Sequence, residues 1–161
     1  LLSDAATLIK AFIDMRESEG KNLMGILNGQ VSEIERLTQA ATDMVETRRD
    51  DMAAGFRAAL DRVSQEGLKT DESRVAQEIA VMAVKADVTE ELDRLRAHVA
   101  AARELLEAGS PVGRKIDFLT QEFNREANTL CSKSQHTELT QIGLALKTVI
   151  DQMREQVQNV E

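Results

Sequence analysis

The stretch of sequence that decides the fold is LMGILNGQVSEIERLTQAATDM, residues 23–44. Its apolar side chains follow one another at alternating steps of four and three residues, and Gln30 fills one of these core positions. This is the heptad pattern of helices that pack side by side, and the charges between these positions face solvent. The seam consists of Leu23, Leu27, Gln30, Ile34, Leu37, Ala41 and Met44.

The end of the chain carries a second apolar seam, with a spacing of about 3.5 residues. The sequence also has only 2% aromatic residues, one Pro and eight Gly, and helix-forming Ala, Leu, Glu, Arg and Gln dominate it. We therefore predict an all-α fold, with long antiparallel helices, coiled-coil-like seams and a C-terminal helical bundle. The second seam consists of Leu139, Ile142, Leu146, Val149, Met153, Val157 and Val160.

Two interruptions divide the chain. Residues 67–71 have the composition of a turn. The apolar stripes on either side of residues 86–89 differ in phase by about 150°, so one straight helix cannot bury both, and a helix should end there. Asp87 and Glu90 have the spacing of a capping box for the helix that follows.

The domain prediction follows from these interruptions. We expect a helical, coiled-coil-like hairpin or arm over residues 1–66, and a C-terminal helical domain over residues 67–161. Within the second domain, the clearest loop is 108–113. A helix over 114–130 and a polar turn over 131–136 should precede the last helix.

Composition limits the classes of function. The chain has 20 Lys and Arg against 28 Asp and Glu, a net charge of −8, which argues against binding nucleic acid by bulk attraction but allows a local basic patch. The single cysteine, Cys131, excludes an internal disulfide and fits a cytoplasmic location. The longest strongly apolar run, 79–84, is too short to cross a membrane, and no signal peptide is visible. Because Leu1 is not a natural initiator, we expect a fragment or a processed chain.

Two predicted helix faces are more polar than a structural helix requires. The first carries Asp87, Glu91, Arg94 and His98, and the second carries Asp117, Gln121, Asn124 and Asn128, both at steps of four and three residues. Carboxylates at helical spacing can hold a hard divalent cation, and a histidine can exchange protons near neutral pH. Flanking Arg and Lys side chains can bind phosphates.

A structural interpretation of both faces stays open. Stripes of Asp, Glu, Arg and His are usually solvated helix faces supported by salt bridges four residues apart. The two Asn of the second face lower helix stability, so an interhelical network or a site should compensate. We interpret the Met residues as core fillers and Cys131 as structural, because no paired base lies near it in the sequence.

The two faces belong to motifs that resemble those of the YicC-like family. DVTEELDRLRAH at 87–98 resembles the family's D(I/V)xEELxRLxxH stretch, and GRKIDFLTQEFNREANTLCSK at 113–133 resembles its GRKLDFLxQExNREANTxxSK signature. The ending MREQVQNVE at 153–161 is similar to the family's usual C-terminus. The resemblance is strong from about residue 72 onward, whereas residues 1–66 share only helical character and approximate length.

The resemblance implies a function. YicC-like proteins are described as endoribonucleases that use a divalent metal ion and assemble as homo-oligomers, as hexamers in the full-length protein. They carry an additional N-terminal domain, which we expect to be absent from this chain and required for activity. The resemblance therefore implies RNA as partner, Mn²⁺ or Mg²⁺ as cofactor, and neither DNA nor a membrane as partner. It does not assign roles to single residues.

Two hypotheses on function follow from the faces and the resemblance. In the first, the chain is the C-terminal part of a metal-dependent endoribonuclease. In the second, it is a non-enzymatic oligomerisation scaffold or an adaptor for RNA turnover, whose polar motifs fix subunit geometry. For the enzyme, the predicted metal ligands are Asp87, Glu91, Asp117, Glu122 and Glu126; the catalytic residues are His98, Glu91, Asp117 and Glu122; and the RNA-binding residues are Arg94, Arg114, Gln121, Asn124, Arg125, Asn128 and Lys133.

Overall fold

The computed structural model describes residues 2–65, 72–109 and 111–158, and every regular element in these ranges is an α-helix. This confirms the predicted all-α fold. The predicted turn at 67–71 lies outside the described residues. The helices are α1 (Leu2–Gln65), α2 (Glu72–Lys85), α3 (Thr89–Ala108), α4 (Gly113–Lys133) and α5 (Thr137–Val157).

Four of these helices form a bundle. Around its circumference the order is α1, α3, α4 and α5, and α5 closes the ring against α1. Neighbouring helices are antiparallel. On the α1–α3 side, for example, Arg96 donates to Thr42 at 2.7 Å, and Arg103 pairs further along with Glu35. The remaining helix, α2, contacts α1.

The seam at residues 23–44 forms one wall of the hydrophobic core, as the heptad pattern predicts. Leu27, Ile34, Leu37 and Ala41 are buried, while the end positions Leu23 and Met44 are partly buried. Because these residues share a core with α3, α4 and α5, the core includes side chains from both sides of residue 66. The division of the chain into domains at that position stays a prediction.

The first helix is longer than the sequence suggests. Residues Leu2–Gln65 form one continuous helix, so the hairpin alternative for residues 1–66 is wrong, and the arm alternative stays a prediction. Packing of its middle against both α3 and α5 outweighs the local cost of helical glycine, about 1 kcal/mol per residue. The side chains of residues 4–22, which precede this packed region, are exposed.

The predicted break at residues 86–89 is confirmed, since α2 ends at Lys85 and α3 begins at Thr89. Asp87 Oδ1 accepts a hydrogen bond from the backbone N–H of Thr89 at 2.9 Å. The other half of the predicted capping box does not form, because the Glu90 carboxylate pairs with Arg94 instead.

At the far end of α4 the prediction is too short. The helix continues to Lys133, so the turn before α5 contains only residues 134–136. Ser134 N–H closes this last turn on the Leu130 carbonyl oxygen at 2.9 Å. No helix in the described ranges is both long enough and apolar enough to cross a lipid bilayer.

Candidate functional site

The groove between α3 and α4 brings together three side chains that can bind a metal ion. His98 projects from α3, and Glu122 and Glu126 project from successive turns of α4. One ligand atom from each of the three lies within 4.8 Å of the other two. The group exists because Glu122 and Glu126, four residues apart, lie on the same side of α4.

His98 contributes an unsatisfied nitrogen to this group. Its Nε2 atom is buried and has no hydrogen-bond partner among the described residues. The imidazole ring meets the buried Phe123 ring edge-on, with centroids 5.9 Å apart and planes at 85°. A buried ring nitrogen without a partner is costly unless something binds it, and a neutral imidazole is a common metal ligand.

Glu126 is the buried acid of the group, with only 2% of its surface exposed. Among the described residues its one cationic contact within 4 Å is long, since Arg94 Nη1 lies 3.4 Å from Oε1. Arg94 divides its guanidinium between Glu126 and Glu90, and its pKa is raised by the hydrogen bond to Glu126 and by the charge of Glu90. The charge of Glu126 is therefore only partly compensated in a poorly hydrated position.

Glu122 is the more accessible acid, with a side chain that is 25% exposed. The guanidinium of Arg125, one turn along α4, lies 3.9 Å from its Oε2 atom and is 68% exposed. The group thus has a buried end at Glu126 and an open end at Glu122. A ligand from solvent reaches it from the Glu122 side.

These donors fit a hard divalent cation. Two carboxylates and one imidazole suit Mn²⁺, and Mg²⁺ also prefers carboxylates. With metal–oxygen bonds of about 2.1 Å, opposite ligands stand about 4.2 Å apart. Three ligands cannot all be opposite one another, and adjacent ligands of an octahedral ion stand about 3.0 Å apart. Ligand atoms separated by up to 4.8 Å therefore move closer together on binding. An ion bound through Nε2 would give that nitrogen a partner and would compensate the charge of Glu126.

Three of the predicted metal ligands, Asp87, Glu91 and Asp117, lie outside this group. Glu91 is buried and accepts a hydrogen bond from Lys133 Nζ at 2.8 Å. Asp87 holds the start of α3, and its pKa is lowered by hydrogen bonds from Thr89 and by the charges of Lys133 and Arg49. The assignments of Asp87 and Glu91 as ligands stay predictions. Each has one oxygen engaged by another group, while Glu91 Oε2 is buried without a hydrogen-bond partner among the described residues.

The predicted second polar face turns away from the α3–α4 groove, toward α5. Asp117 accepts from Gln121 at 3.0 Å, and Asn128 donates to Asn124 at 2.6 Å. Asn124 in turn donates to Asp151 of α5 at 3.4 Å. The bonds of Asn124 and Asn128 compensate for two Asn in α4. At about 100° per residue, Asp117 lies on a different side of α4 from Glu122 and Glu126.

The predicted RNA-binding residues are also divided. Arg125 is exposed at the open end of the group, and Arg114 is exposed on the first turn of α4. Lys133 is held by Glu91 and by the Asp87 carbonyl oxygen, and its pKa is raised mainly by the hydrogen bond to Glu91. Arg94 is held by its two carboxylates.

Sequence reasoning missed one ligand role. His98 is predicted as catalytic, yet it lies among the candidate metal ligands, because the side of α3 that faces α4 carries both Arg94 and His98. The signal in the sequence was the spacing of Glu122 and Glu126, four residues apart. Pairing them with His98 required knowledge of which helices are neighbours.

Comparison with known proteins extends the resemblance. A family model described as "Endoribonuclease YicC-like, C-terminal" matches residues 31–161, so the similarity includes the core-forming half of α1. A Haemophilus influenzae protein named probable endoribonuclease YicC is 41% identical over 162 residues, which cover 100% of this chain and 55% of that protein. A Clostridioides difficile protein of the same name is 36% identical over 155 residues, covering 92% of this chain and 50% of that protein.

The chain therefore spans about half the length of the curated relatives it matches. The family match includes all three members of the His98, Glu122 and Glu126 group. Because this match covers most of the chain, residues 31–161, the chain belongs to the YicC-like family and corresponds to the C-terminal part of its members.

Proposed function

We propose that this chain is the metal-binding part of an endoribonuclease that cleaves RNA phosphodiester bonds. The observation that carries the proposal is the convergence of His98, Glu122 and Glu126 within 4.8 Å of one another. The names of the two relatives, both probable endoribonucleases, support RNA as the substrate. Mn²⁺ or Mg²⁺ as cofactor, a homo-oligomer as the working form and a cytoplasmic location are further parts of this proposal.

Each residue of the groove has a separate task in this proposal. Glu122, Glu126 and His98 hold the cation, which when bound stabilises charge on a phosphoryl group and lowers the pKa of water. Arg94 positions Glu126 by a hydrogen bond at 3.4 Å. Arg125, exposed beside Glu122, binds a backbone phosphate of the RNA as its guanidinium can form two hydrogen bonds to it.

His98 takes the neutral form when it binds a cation, because a protonated imidazole has no lone pair to offer. The catalytic role predicted for His98 and the ligand role make different demands. A ligand is required for metal binding, whereas a proton-transfer group is required only for the cleavage step.

The scaffold hypothesis has one observation in its favour. Glu91 and Lys133 join α3 to α4 through a partly buried ion pair, and Arg94 joins the same helices through Glu126. Such contacts fix how two helices pack and need no metal. Under this hypothesis Glu126→Gln changes the oligomeric state or stability of the protein, and no RNA is cut.

The test is RNA cleavage by purified protein with Mn²⁺ or Mg²⁺. It is run on this chain and on a version extended by the segment that the Haemophilus influenzae relative carries outside the match. We expect Glu122→Gln and Glu126→Gln to reduce cutting by at least a hundredfold in whichever form is active. Glu104→Gln, an exposed acid on α3, is the matched control and keeps full activity. Undiminished cutting by both groove variants contradicts the site; unchanged size-exclusion profiles of these variants argue against the scaffold.

A further inference from the structure

A second concave surface lies at one end of the bundle, away from the metal-binding group. It is bounded by α1, the last turn of α2, the start of α3 and the turn between α4 and α5. We call it the end cleft, and its volume is about 840 Å³. That is the size of a pocket that holds a small organic ligand.

Four permanently charged cations line the end cleft, namely Arg48, Arg49, Arg96 and Lys133. Two of them are held in place by the protein: Arg96 donates to Thr42 at 2.7 Å and to Asp93 at 2.8 Å, and Lys133 pairs with Glu91. The other two are available. Arg48 and Arg49 form no hydrogen bond or ion pair with the described part of the chain; Arg48 is half-buried, and Arg49 is close enough to Asp87 for its charge to lower the pKa of that carboxyl.

The acids of the end cleft are mostly occupied. The cleft contains three carboxylates, Glu46, Asp87 and Asp93, against its four permanent cations. Asp87 accepts from the Thr89 N–H, and Asp93 accepts from Arg96. The cleft thus carries a small positive excess in a chain whose net charge is −8. An anion is the complementary ligand for the two unpaired guanidinium groups.

The rest of the cleft has an apolar part beside the polar side chains of Thr42, Thr89, Gln135 and His136. Val45 and Leu92 line it from α1 and α3, and Leu139 lines it from the first turn of α5. Leu92 and Leu139 belong to the bundle core, so this floor is firmly supported. A ligand that combines a phosphate with a flat, largely apolar ring can satisfy both parts of the cleft. Among the groups of an RNA strand, a nucleotide has this combination.

We propose that the end cleft binds one nucleotide of an RNA strand, with its phosphate on Arg48 and Arg49 and its base over the apolar floor. This proposal rests on the proposed function, since it takes RNA as the substrate. The cleft and the metal-binding group are distinct places. They lie on different sides of α3, since Arg96 of the cleft donates to Thr42 of α1, whereas Arg94 and His98 face α4. Strand binding and strand cutting are therefore separable by mutation.

The experiment measures binding of a fluorescently labelled single-stranded RNA of twelve nucleotides by anisotropy. EDTA is present, so that no strand is cut. We expect the double variant Arg48→Gln, Arg49→Gln to weaken binding at least tenfold, because two charge-assisted contacts are lost. The control is Lys10→Gln, Lys21→Gln, which removes the same charge from exposed positions of α1. Lys21 lies 27 residues from Arg48, about 40 Å along the helix, and this control should change the affinity less than twofold.

Several outcomes overturn the proposal. Equal losses for the two double variants indicate bulk attraction, and no loss in the cleft variant removes the site. Adenosine monophosphate that binds as tightly as the RNA indicates a free-nucleotide pocket instead. If the cleft variant does not fold, judged by circular dichroism, the single change Arg49→Gln at an exposed position replaces it.

The two proposals fail in distinguishable ways. RNA that does not bind the unmodified chain or its extended form counts against the proposed function as well. RNA that binds the unmodified chain and the cleft variant equally counts against the end cleft alone. Glu122→Gln with Glu126→Gln should leave binding in EDTA unweakened while abolishing cutting with Mn²⁺, which is the opposite pattern to that of the cleft variant.

Discussion

Replacing Lys133 by Met isolates the role of Glu91, the acid that the sequence marks as both ligand and catalyst. Glu91 is 5% exposed, and Lys133 is its only cationic partner within 4 Å in the described residues. Removing one member of a fully buried pair costs about 3–5 kcal/mol. The Lys133 side chain is 31% exposed, so water compensates part of this, and we expect a loss near 2 kcal/mol. For a chain of this size, that lowers the melting temperature by about 4–8 °C.

The assay is urea unfolding followed by circular dichroism at 222 nm, with Lys115→Met, an exposed lysine on the same helix, as control. Changing both partners, Glu91→Met with Lys133→Met, should recover most of the loss, because no unpaired carboxylate stays buried. Mn²⁺ affinity should be unchanged in Lys133→Met, since Glu91 lies outside the metal-binding group. A change in stability below about 0.5 kcal/mol, or a double variant whose losses simply add, refutes a structural role for Glu91.

Three further changes test the packing of the bundle and the start of α3. A Cβ at Gly143 would lie 2.5 Å from Cys131 Sγ. The overpacking cost of about 1–3 kcal/mol should exceed the gain in helix stability of about 1 kcal/mol. Gly143→Ala should therefore lower the melting temperature, and adding Cys131→Ala should restore it. Asp87→Ala should lower the free energy of unfolding by about 1 kcal/mol in urea at pH 7. Because the pKa of Asp87 is lowered in the folded chain, this contribution is present above the unfolded pKa of about 3.9 and is lost as pH falls further. The unmodified chain and the variant should therefore reach equal stability in acid, and a difference that stays constant with pH would contradict the account. Phe123→Ala should cost about 3–5 kcal/mol by calorimetry and weaken Mn²⁺ binding by freeing the His98 ring; unchanged stability would contradict burial of that ring.

The elements of the fold were largely predictable because the apolar seams are long and regular. The α1 and α5 seams, the break before α3 and the loop before α4 all follow from spacing and turn composition. The hairpin alternative failed because helix continuity in α1 depends on partners at its middle, which local glycine content does not reveal. The end of α4 was misplaced for a similar reason, since polar residues 131–133 continue the helix where Lys133 pairs with Glu91.

The candidate site was predictable only in part. The motifs contained Glu122, Glu126 and His98. Helical periodicity grouped Asp117 with Gln121, Asn124 and Asn128, but it did not show which side of α4 faces α3 and which side faces α5. A sequence gives the angular position of each side chain on its own helix. Which neighbour that side meets depends on the order of helices around the bundle, and this decides which carboxylates converge.

The end cleft shows the same limit more strongly. Arg48 and Arg49 are unremarkable charges in the middle of a long helix, and nothing in their spacing indicates a ligand. They become notable only because α1 continues beyond the start of α3 and forms a wall beside the turn between α4 and α5. Sites built from the ends of several elements leave little trace in local patterns.

Calorimetric titration of the chain with Mn²⁺ at pH 7.5 tests the metal-binding group most directly. We predict one ion bound through His98, Glu122 and Glu126, with binding lost in Glu126→Gln and retained in Glu104→Gln. Saturation at about one hundred times the dissociation constant should add about 2.7 kcal/mol of stability, and EDTA should remove it. Heat of binding that is absent in the unmodified chain, or equal in the chain and in Glu126→Gln, would contradict the account.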